Sequence, residues 1–298
     1  MEELNFKPID LSVKENFKRY FYSNKPDISE YTFTNLYVWR NSRKISYAEY
    51  QGSLIIRACY NGENYLLPPI GKDVKNTYVK ILEWIKKSEN ENSVRRIPEK
   101  DINIIKSNIE ISDFKVVEDR DNFDYVFSSK DLAHLDGKKF SSKRNFYKKF
   151  LNEYNLKYEK YKNEYKNKCI DLMNRWIDKK KDDKTLNDEY EAIIELLNNF
   201  DNLNIVGSVI FADDNLAAFA FGEELNDDVF VIHFEKADTK YIGIYQTINK
   251  LFIENEAVEK YKYINREQDL GIPGIRKAKE SYYPEMFIKK YNIFKNKF

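Results

Sequence analysis

Apolar residues recur along the chain with two different spacings. Intervals of three and four residues predict amphipathic helices over 11–22, 75–87, 101–107, 138–154, 169–181, 187–199 and 241–254, with a short helix after Pro273. Short runs rich in β-branched and aromatic residues predict strands over 32–39, 53–59, 65–67, 94–97, 115–118, 204–211, 216–221, 229–235, 262–265 and 285–293. Helices and strands are mixed throughout, so the pattern predicts an α+β protein.

The order of elements in the second half is informative. Asx-rich pairs separate the three predicted strands within 204–235, which favours antiparallel hairpins over crossovers. A helix, a strand, a short helix and a last strand follow. This order resembles the acyl-CoA N-acyltransferase (GNAT) layout, and the first half resembles a degenerate copy of it. We therefore expect two tandem GNAT-like domains, over 1–127 and 128–298, each a mixed and mostly antiparallel sheet with flanking helices, with the active-site cleft in the second.

Composition narrows the possible classes of function. The chain has 298 residues, and 50 Lys and Arg nearly cancel 49 Asp and Glu to give a formal net charge of +1. A global basic field for nucleic acid or an anionic membrane is therefore absent. No apolar stretch approaches the roughly 20 residues that span a bilayer, and the polar start does not resemble a signal peptide. With two cysteines and two histidines, neither a disulfide framework nor a metal site is expected.

Three segments of the chain resemble one protein family. They are residues 31–41 (YTFTNLYVWRN), 123–150 (FDYVFSSKDLAHLDGKKFSSKRNFYKKF) and 265–284 (NREQDLGIPGIRKAKESYYP), of which the last is the most specific. In these segments the chain is similar to the phosphatidylglycerol lysyltransferase C-terminal domain family, also called DUF2156. The resemblance implies a tandem GNAT fold and an aminoacyl or acyl transferase. It further implies aminoacyl-tRNA as the donor and an anionic lipid, or a small amine or hydroxyl compound, as the acceptor.

We expect the protein to depart from the full lipid enzymes by lacking their transmembrane flippase part, which leaves the lipid substrate open. An acyl-CoA-dependent N-acetyltransferase is one alternative function, and a non-catalytic binding module on the same fold is another. We expect a cytoplasmic protein, with peripheral contact to a membrane as the alternative location.

The start of the helix predicted over 241–254 bears on the choice of cofactor. GNAT enzymes hold the coenzyme A pyrophosphate on backbone N–H groups there, next to small residues. Gly243 is the candidate cofactor-binding residue, but Tyr245 stands where the second small residue is expected and Tyr241 adds bulk. These tyrosines argue against acetyl-CoA as the donor, and the family resemblance then favours aminoacyl-tRNA, so no cofactor is firmly implied. A plain helix start packed by tyrosines is the alternative interpretation.

Two acidic residues near the end of the strand predicted over 262–265 are the candidate catalytic groups. Glu267 and Asp269 follow that strand, where open α/β folds commonly place ligands. Either carboxylate could hold the ammonium group of a donor or accept the proton of a nucleophile. The alternative is that both residues pair with nearby bases and cap the next helix.

Candidate substrate-binding residues surround the two acids. Asn265 and Arg266 end the strand, and Arg276 and Lys277 fall in the first turn of the helix after Pro273. Cations are unfavourable at a helix N-terminus because that end is already electropositive. This conflict is tolerable where an anion binds, so a lipid or tRNA phosphate is a candidate ligand.

Two further groups of residues complete the candidate site. Lys143, Arg144 and Asn145 form a Lys-Arg-Asn motif, and Arg144 lies on an apolar stripe where it either reaches solvent or anchors a carboxylate or phosphate. His233 and Glu235 are two positions apart on one strand, so they are expected to share a face. A hydrogen-bonded core histidine is the alternative for His233. The charge runs 157–168 and 179–184 are expected to be solvated, with phosphate contacts as the alternative.

Overall fold

A computed structural model describes residues 4–89, 91–177 and 184–296 of the chain. The helices in these ranges are α1 Lys14–Asn24, α2 Phe33–Val38, α3 Val74–Lys87, α4 Glu99–Asn108, α5 Ser129–His134, α6 Ser141–Glu153, α7 Lys166–Ile177, α8 Lys184–Asn198, α9 Ile244–Glu256 and α10 Pro273–Glu280. The strands are β1 Lys7–Pro8, β2 Ser46–Tyr50, β3 Ser53–Tyr60, β4 Glu63–Leu66, β5 Ile70–Gly71, β6 Glu91–Pro98, β7 Phe114–Glu118, β8 Asp124–Ser128, β9 Leu156–Lys160, β10 Val206–Ala212, β11 Asn215–Asn226, β12 Val229–Ala237, β13 Tyr263–Asn265, β14 Met286–Ile288 and β15 Lys290–Lys295.

The strands form two mixed sheets, one in each of two compact units. The first sheet has the order β1-β2-β3-β4-β6-β15-β7, with β5 paired to β3, and the second has the order β14-β8-β13-β12-β11-β10-β9. All the strand pairs with a described register are antiparallel except β4–β6 and β12–β13. The predicted α+β class and its mostly antiparallel sheets are therefore confirmed.

The chain passes between the two units more than once. The first unit comprises the described residues of 1–124, 268–276 and 287–298, and the second comprises 125–267 and 277–286. The boundary expected at 127/128 lies close to the first of these crossings. The segment 290–295, which the sequence analysis placed in the second domain, instead forms β15, and this strand pairs with β6 and β7 of the first sheet.

Two predicted elements differ from the structure. The strand expected over 32–39 is the buried helix α2, because Thr32 caps it: the Thr32 hydroxyl accepts a hydrogen bond from the backbone N–H of Asn35 at 3.1 Å. Five of its six residues are buried, so the helix shows no polar face, and so short a buried helix cannot be distinguished from a strand by its sequence pattern. The last strand, expected over 285–293, is divided into β14 and β15, which belong to different sheets.

The division of the last strand has a visible cause in the first unit. Lys290 is completely buried there, and its ammonium group lies 2.8 and 2.9 Å from the carboxylate oxygens of Glu30 and 2.7 Å from Asp124. The amide of Gln268 donates to Asp124 at 2.7 Å in the same cluster. A buried lysine needs such partners, so the chain at 290 is held within the first unit.

The other predicted helices and hairpins are present. Asn61 and Gly62 both have positive φ angles of 52° and 82° in the β3–β4 hairpin, as an Asn-Gly turn requires. The helix predicted over 169–181 corresponds to α7 as far as Ile177, and residues 178–181 lie outside the described residues. The charge run 179–184 also lies outside them except for its last member. Among the described helices, none has the length and apolar character needed to cross a membrane.

Candidate functional site

The second sheet opens where β12 and β13 diverge. Their parallel pairing ends at the Val231–Asn265 pair, whereas β12 continues to Ala237. The Asn265 side chain stops β13, because its amide oxygen accepts the backbone N–H of Glu267 at 2.8 Å. Glu267 adopts a positive φ of 56° and Tyr125 N–H donates to its carbonyl, so the chain turns away from β12. We call the region between residues 232–237 and the chain after Asn265 the strand opening.

A β-bulge in β12 decides which side chains face each side of the strand opening. Phe221 pairs with Phe234 but Gly222 pairs with Ile232, so His233 is the extra residue of the bulged strand. Glu235 pairs with Ala220, which belongs to the core cluster that contains α9 residues. We call this side the α9 face.

His233 faces the other side of the sheet. Its imidazole bonds to Glu223, which is three positions from Ala220 on β11 and therefore points to the opposite face. The expectation that His233 and Glu235 share a face is wrong, because the bulge shifts the alternation by one residue.

On the face opposite α9, His233 lies between two carboxylates. Its Nδ1 is 2.7 Å from Glu267 Oε1 and its Nε2 is 2.9 Å from Glu223 Oε1, while the His233 side chain is only 3% exposed. Burial lowers the pKa of His233, but the hydrogen bonds and charges of Glu223 and Glu267 outweigh burial and raise the pKa to about 9. The imidazole is thus protonated at neutral pH, and the imidazolium and the two glutamates carry a formal charge of −1.

On the α9 face, Glu235 receives two hydrogen bonds. Arg266 Nη2 donates to Glu235 Oε1 at 3.1 Å, and the Asn249 amide donates to Glu235 Oε2 at 2.9 Å. Two other atoms of these partners, Arg266 Nη1 and Asn249 Oδ1, are buried and have no hydrogen-bond partner among the described residues. A donor and an acceptor are therefore left unsatisfied beside one carboxylate, which is costly without a ligand.

A second cation, Lys143, lies beside Arg266 on the α9 face. The ring centroid of the buried Tyr282 is 4.2 Å from Lys143 Nζ and 5.2 Å from the Arg266 guanidinium carbon. Lys143 donates to the Ser281 hydroxyl at 2.6 Å, and burial, together with the charge of Arg266, lowers the pKa of Lys143. Lys143, Arg266 and Glu235 carry a formal charge of +1, so the two faces of the strand opening have opposite charges.

The start of α9 is closely packed. A Cβ atom on Gly243 would lie 2.2 Å from the carbonyl oxygen of Phe146 in α6, and the φ of Gly243 is +89°. Tyr241 stacks edge-on against Tyr154 with centroids 5.1 Å apart, and the Tyr154 hydroxyl accepts the backbone N–H of Ile242 at 3.4 Å. Helix packing and the left-handed conformation thus account for the glycine at 243.

Asp269 belongs to the first unit, where both oxygens of its carboxylate accept hydrogen bonds. Its buried carboxylate accepts hydrogen bonds from Arg276 at 2.8 and 2.9 Å, from Arg120 at 3.2 Å and from the backbone N–H of Gly271 at 2.8 Å. Arg276 also reaches Asp121 at 2.7 Å. Of the two candidate catalytic acids, Glu267 therefore lies at the strand opening in the second unit, and Asp269 pairs with arginines in the first.

The remaining candidate residues have separate environments. Arg144 is half-buried and donates to the backbone carbonyls of Leu135 and Gly137, the latter at 2.7 Å, so it holds the end of α5 instead of reaching solvent. Asn145 and Lys277 are exposed. The structure thus brings together, within the second unit, six of the predicted residues at the strand opening: Lys143, Asn265, Arg266, Glu267, His233 and Glu235.

Sequence reasoning missed three members of these clusters. Glu223 and Asn249 are buried polar residues in apolar segments, and that contrast is a usable signal in the sequence. Tyr282 is one of 23 tyrosines, so its position could be found only from the fold.

The two sheets with their flanking helices form a tandem GNAT-like fold. A tandem GNAT protein from the clavulanic acid biosynthesis pathway matches with a TM-score of 0.51 and 7% identity, over 99% of this chain and 100% of its own. The family model described as phosphatidylglycerol lysyltransferase, C-terminal, matches residues 24–294. The chain belongs to this family, as the three sequence segments predicted.

Two solved structures extend the comparison. A conserved protein of unknown function from Bacteroides thetaiotaomicron VPI-5482 is 31% identical, with a TM-score of 0.91 over 99% of this chain and 100% of its own. L-PGS from Bacillus licheniformis is 14% identical, with a TM-score of 0.69 over 100% and 95% of the two chains. No curated protein matches the chain in sequence. Family and fold together support an acyltransferase-like activity.

Proposed function

We propose that the protein is an aminoacyltransferase that moves an aminoacyl group from an aminoacyl-tRNA to an anionic lipid or a small amine or hydroxyl acceptor. The observation that carries this proposal is the opposite charge of the two faces of the strand opening. An aminoacyl ester brings an ammonium group and a carbonyl to the site, and the other substrate brings an anion. The anionic cluster on one side of the strand opening would attract the ammonium group, and the cationic cluster on the other side would attract the anion.

Glu267 is our candidate for recognition of the ammonium group. Its carboxylate lies at the edge of the anionic cluster and is 22% exposed, whereas Glu223 is 7% exposed. The protonated His233 balances one of the two carboxylates, which leaves one negative charge for a cation. Glu267 also remains a candidate to accept the proton of an attacking acceptor.

Arg266 and Lys143 are our candidates for the anionic substrate on the α9 face. The buried donor Arg266 Nη1 lacks a partner among the described residues, and a phosphate or carbonyl oxygen would supply one. The acceptor Asn249 Oδ1 would take a hydrogen bond from an N–H or O–H group of the same substrate. Glu235 accepts a hydrogen bond from each of these two side chains and so fixes the positions of Arg266 and Asn249 for this role.

The proposed reaction needs positioning more than covalent help from the protein. An acceptor oxygen or nitrogen attacks the ester carbonyl carbon, the new bond to the acceptor forms, and the ester bond to the tRNA breaks. The proton leaves the acceptor and ends on the tRNA hydroxyl that is released. Cations at the α9 face would stabilise the negative charge that develops on the carbonyl oxygen.

Aminoacyl-tRNA is preferred over acetyl-CoA as the donor because of the packing at the start of α9. Tyr241, Tyr154 and the α6 backbone crowd the region where a pyrophosphate would approach. Gly243 has a packing role there, so its presence gives no support to a coenzyme site.

The test is a transfer assay with purified protein, labelled aminoacyl-tRNAs and either phosphatidylglycerol vesicles or small amines as acceptors. We expect label on one acceptor class, a loss of at least 100-fold in Glu267→Gln and Arg266→Lys, and no change in the control Glu224→Gln. Glu224 is a surface carboxylate paired with Lys260 at 2.6 Å. Absence of transfer with every donor, or full activity in both site variants, would refute the proposal, and tight coenzyme A binding by calorimetry would favour the acetyltransferase.

A further inference from the structure

The anionic cluster leads from the interior of the second sheet to the strand opening. The side chains of Glu223, His233 and Glu267 are 7%, 3% and 22% exposed. His233 Nε2 lies 2.9 Å from Glu223 Oε1, and His233 Nδ1 lies 2.7 Å from Glu267 Oε1. Glu267 is therefore the member that a substrate can reach, and any effect of Glu223 on a substrate passes through His233.

Two irregular features of the backbone place His233 between the two carboxylates. His233 is the extra residue of the β12 bulge, which lies opposite Gly222, where a Cβ atom would meet the Val231 carbonyl oxygen at 2.5 Å. Glu267 adopts a φ of 56°, a conformation that is unfavourable for a residue with a Cβ atom. Bulges and left-handed residues of this kind concentrate at functional sites. The arrangement of the three side chains thus depends on two local departures from regular structure.

Two carboxylates share one imidazolium, so the charge of Glu223 decides the net charge that a substrate meets. Burial lowers the pKa of His233, but the two glutamates raise it to about 9, and the imidazole is protonated at neutral pH. With Glu223 ionised, the imidazolium is balanced and the cluster keeps its formal charge of −1. Without the charge of Glu223, the imidazolium would instead balance Glu267, and the cluster would be neutral.

Other charged side chains near His233 have partners of their own. Lys236 lies on the same face of β12 and pairs with Glu189 of α8 at 2.6 Å. On the α9 face, Glu235 accepts a hydrogen bond from Arg266 at 3.1 Å. The protonation of His233 is therefore governed by the two glutamates that bond to it.

We propose that Glu223 is a positioning residue: by balancing the charge of the His233 imidazolium, it leaves the charge of Glu267 for the ammonium group of the donor. The inference rests on the proposed function, in which Glu267 receives that group. A buried ion cluster adds little net stability compared with apolar side chains of similar volume, so stability alone does not account for three ionisable groups here. Ionisable groups with specific charged partners concentrate at functional sites, and the exposed end of this cluster lies at the strand opening.

The first test needs neither donor nor acceptor. The chain has two histidines, so His134→Gln leaves His233 as the source of imidazole signals in the nuclear magnetic resonance spectrum of the untagged protein. In that background, the midpoint of the His233 titration should fall from about 9 by about 1–2 pH units in Glu223→Gln and stay in place in Glu224→Gln. Glu224 is the matched control because it is the next residue of β11 and pairs with Lys260. An unmoved midpoint in Glu223→Gln would refute the inference.

The second test is the pH dependence of transfer, with each variant compared with the unchanged protein at the same pH so that titration of the substrate cancels. At pH 6.5 the Glu223→Gln variant has a neutral cluster, and its kcat/KM for the aminoacyl-tRNA should fall about tenfold, the effect of one charge across a partly buried site. At pH 8.5 the imidazole of the variant has lost its proton, the charge of −1 returns, and the deficit should shrink to about threefold or less. A purely structural role of Glu223 would lower the rate equally at both pH values, and that result would overturn the inference.

A double variant guards against loss of the fold. Glu223→Gln with His233→Gln carries no imidazolium, so Glu267 keeps its charge at both pH values. Transfer at pH 6.5 should then recover to within about threefold of the unchanged protein, a non-additive result that a damaged fold would not give. A double variant no more active than Glu223→Gln at pH 6.5 would also contradict the inference. Absence of transfer with every donor is a different result, because it refutes the proposed function and the role of Glu223 with it.

Discussion

His233 and Glu235 lie on opposite faces of the second sheet, although one residue separates them in the sequence. The β12 bulge at His233 causes this, since it sets His233 beside Glu223 and leaves Glu235 beside Asn249 on α9. One strand therefore supplies the imidazolium of the anionic cluster on one side of the strand opening and the carboxylate of the cationic cluster on the other.

The titration of His233 predicts a pH dependence of stability. Its pKa is about 9 in the folded protein and 6.5 in its ordinary state, so the raised pKa stabilises the fold fully below pH 6.5 and the effect is lost as the pH rises through 9. The loss is roughly 3 kcal/mol. Urea unfolding at pH 6.5 and 9.5 measures it, with His233→Gln as the reference. An identical pH dependence in both proteins would show that His233 is not held as an imidazolium.

Asp269 is expected to stabilise the first unit strongly. Asp269→Asn removes the charge from a carboxylate that is 0% exposed and paired with two arginines. The free energy of unfolding should fall by about 3 kcal/mol. The control is Asp121→Asn, because Asp121 pairs with Arg276 but is 60% exposed, and its loss should stay under about 1 kcal/mol. Equal effects in the two variants by chemical denaturation would contradict this assignment.

Two glycines should respond in opposite ways to alanine. Gly243→Ala forces a Cβ atom to 2.2 Å from the Phe146 carbonyl oxygen at a φ of +89°, and we expect a loss of about 2–3 kcal/mol in stability. Gly274 lies in α10 with nothing within 4 Å of an added Cβ, so Gly274→Ala should raise stability by about 0.5–1 kcal/mol. Thermal unfolding of both variants checks the pair, and a tolerated Gly243→Ala would show that α6 can move away from α9.

Lys290 is expected to be essential to the first unit. Lys290→Met keeps most of the length of the side chain but removes the buried ammonium group that pairs with both Glu30 and Asp124, and stability should fall by about 3–5 kcal/mol. The neighbouring Lys289 is 47% exposed and lies 3.3 Å from Glu99, so Lys289→Met should cost less than about 1 kcal/mol. A small effect at 290 would mean that Glu30 and Asp124 can share a proton in place of the lysine.

The sequence was sufficient for most of the fold. Amphipathic spacing located the long helices, and the Asx pairs located the antiparallel β10–β12 strands. The strand prediction for residues 33–38 is wrong because a short helix with five of its six residues buried has no periodicity that separates it from a strand, and only the Thr32 cap distinguishes it. The division of the last strand could not be read from local pattern, since the partners of Lys290 are at 30 and 124.

The site was harder to predict than the fold. The segment 265–284 was singled out, but the sequence could not show that Glu267 and Asp269 belong to different units or that a bulge separates His233 from Glu235. Both facts depend on backbone geometry: a left-handed residue at 267 and one extra residue in β12. The partner of a buried polar residue such as Glu223 can be identified only when the pairing of the strands is known.

The position of β15 between β6 and β7 has a consequence for synthesis on the ribosome. Residues 290–295 must be made before the strand that joins these two neighbours exists, so the first sheet remains divided until synthesis has passed every strand of the second sheet. Its N-terminal strands and the β7 edge expose unpaired backbone in that interval. Loss of residues 290–295 should therefore damage the first sheet more than the second sheet, and the nascent protein is exposed to aggregation until these residues have left the ribosome.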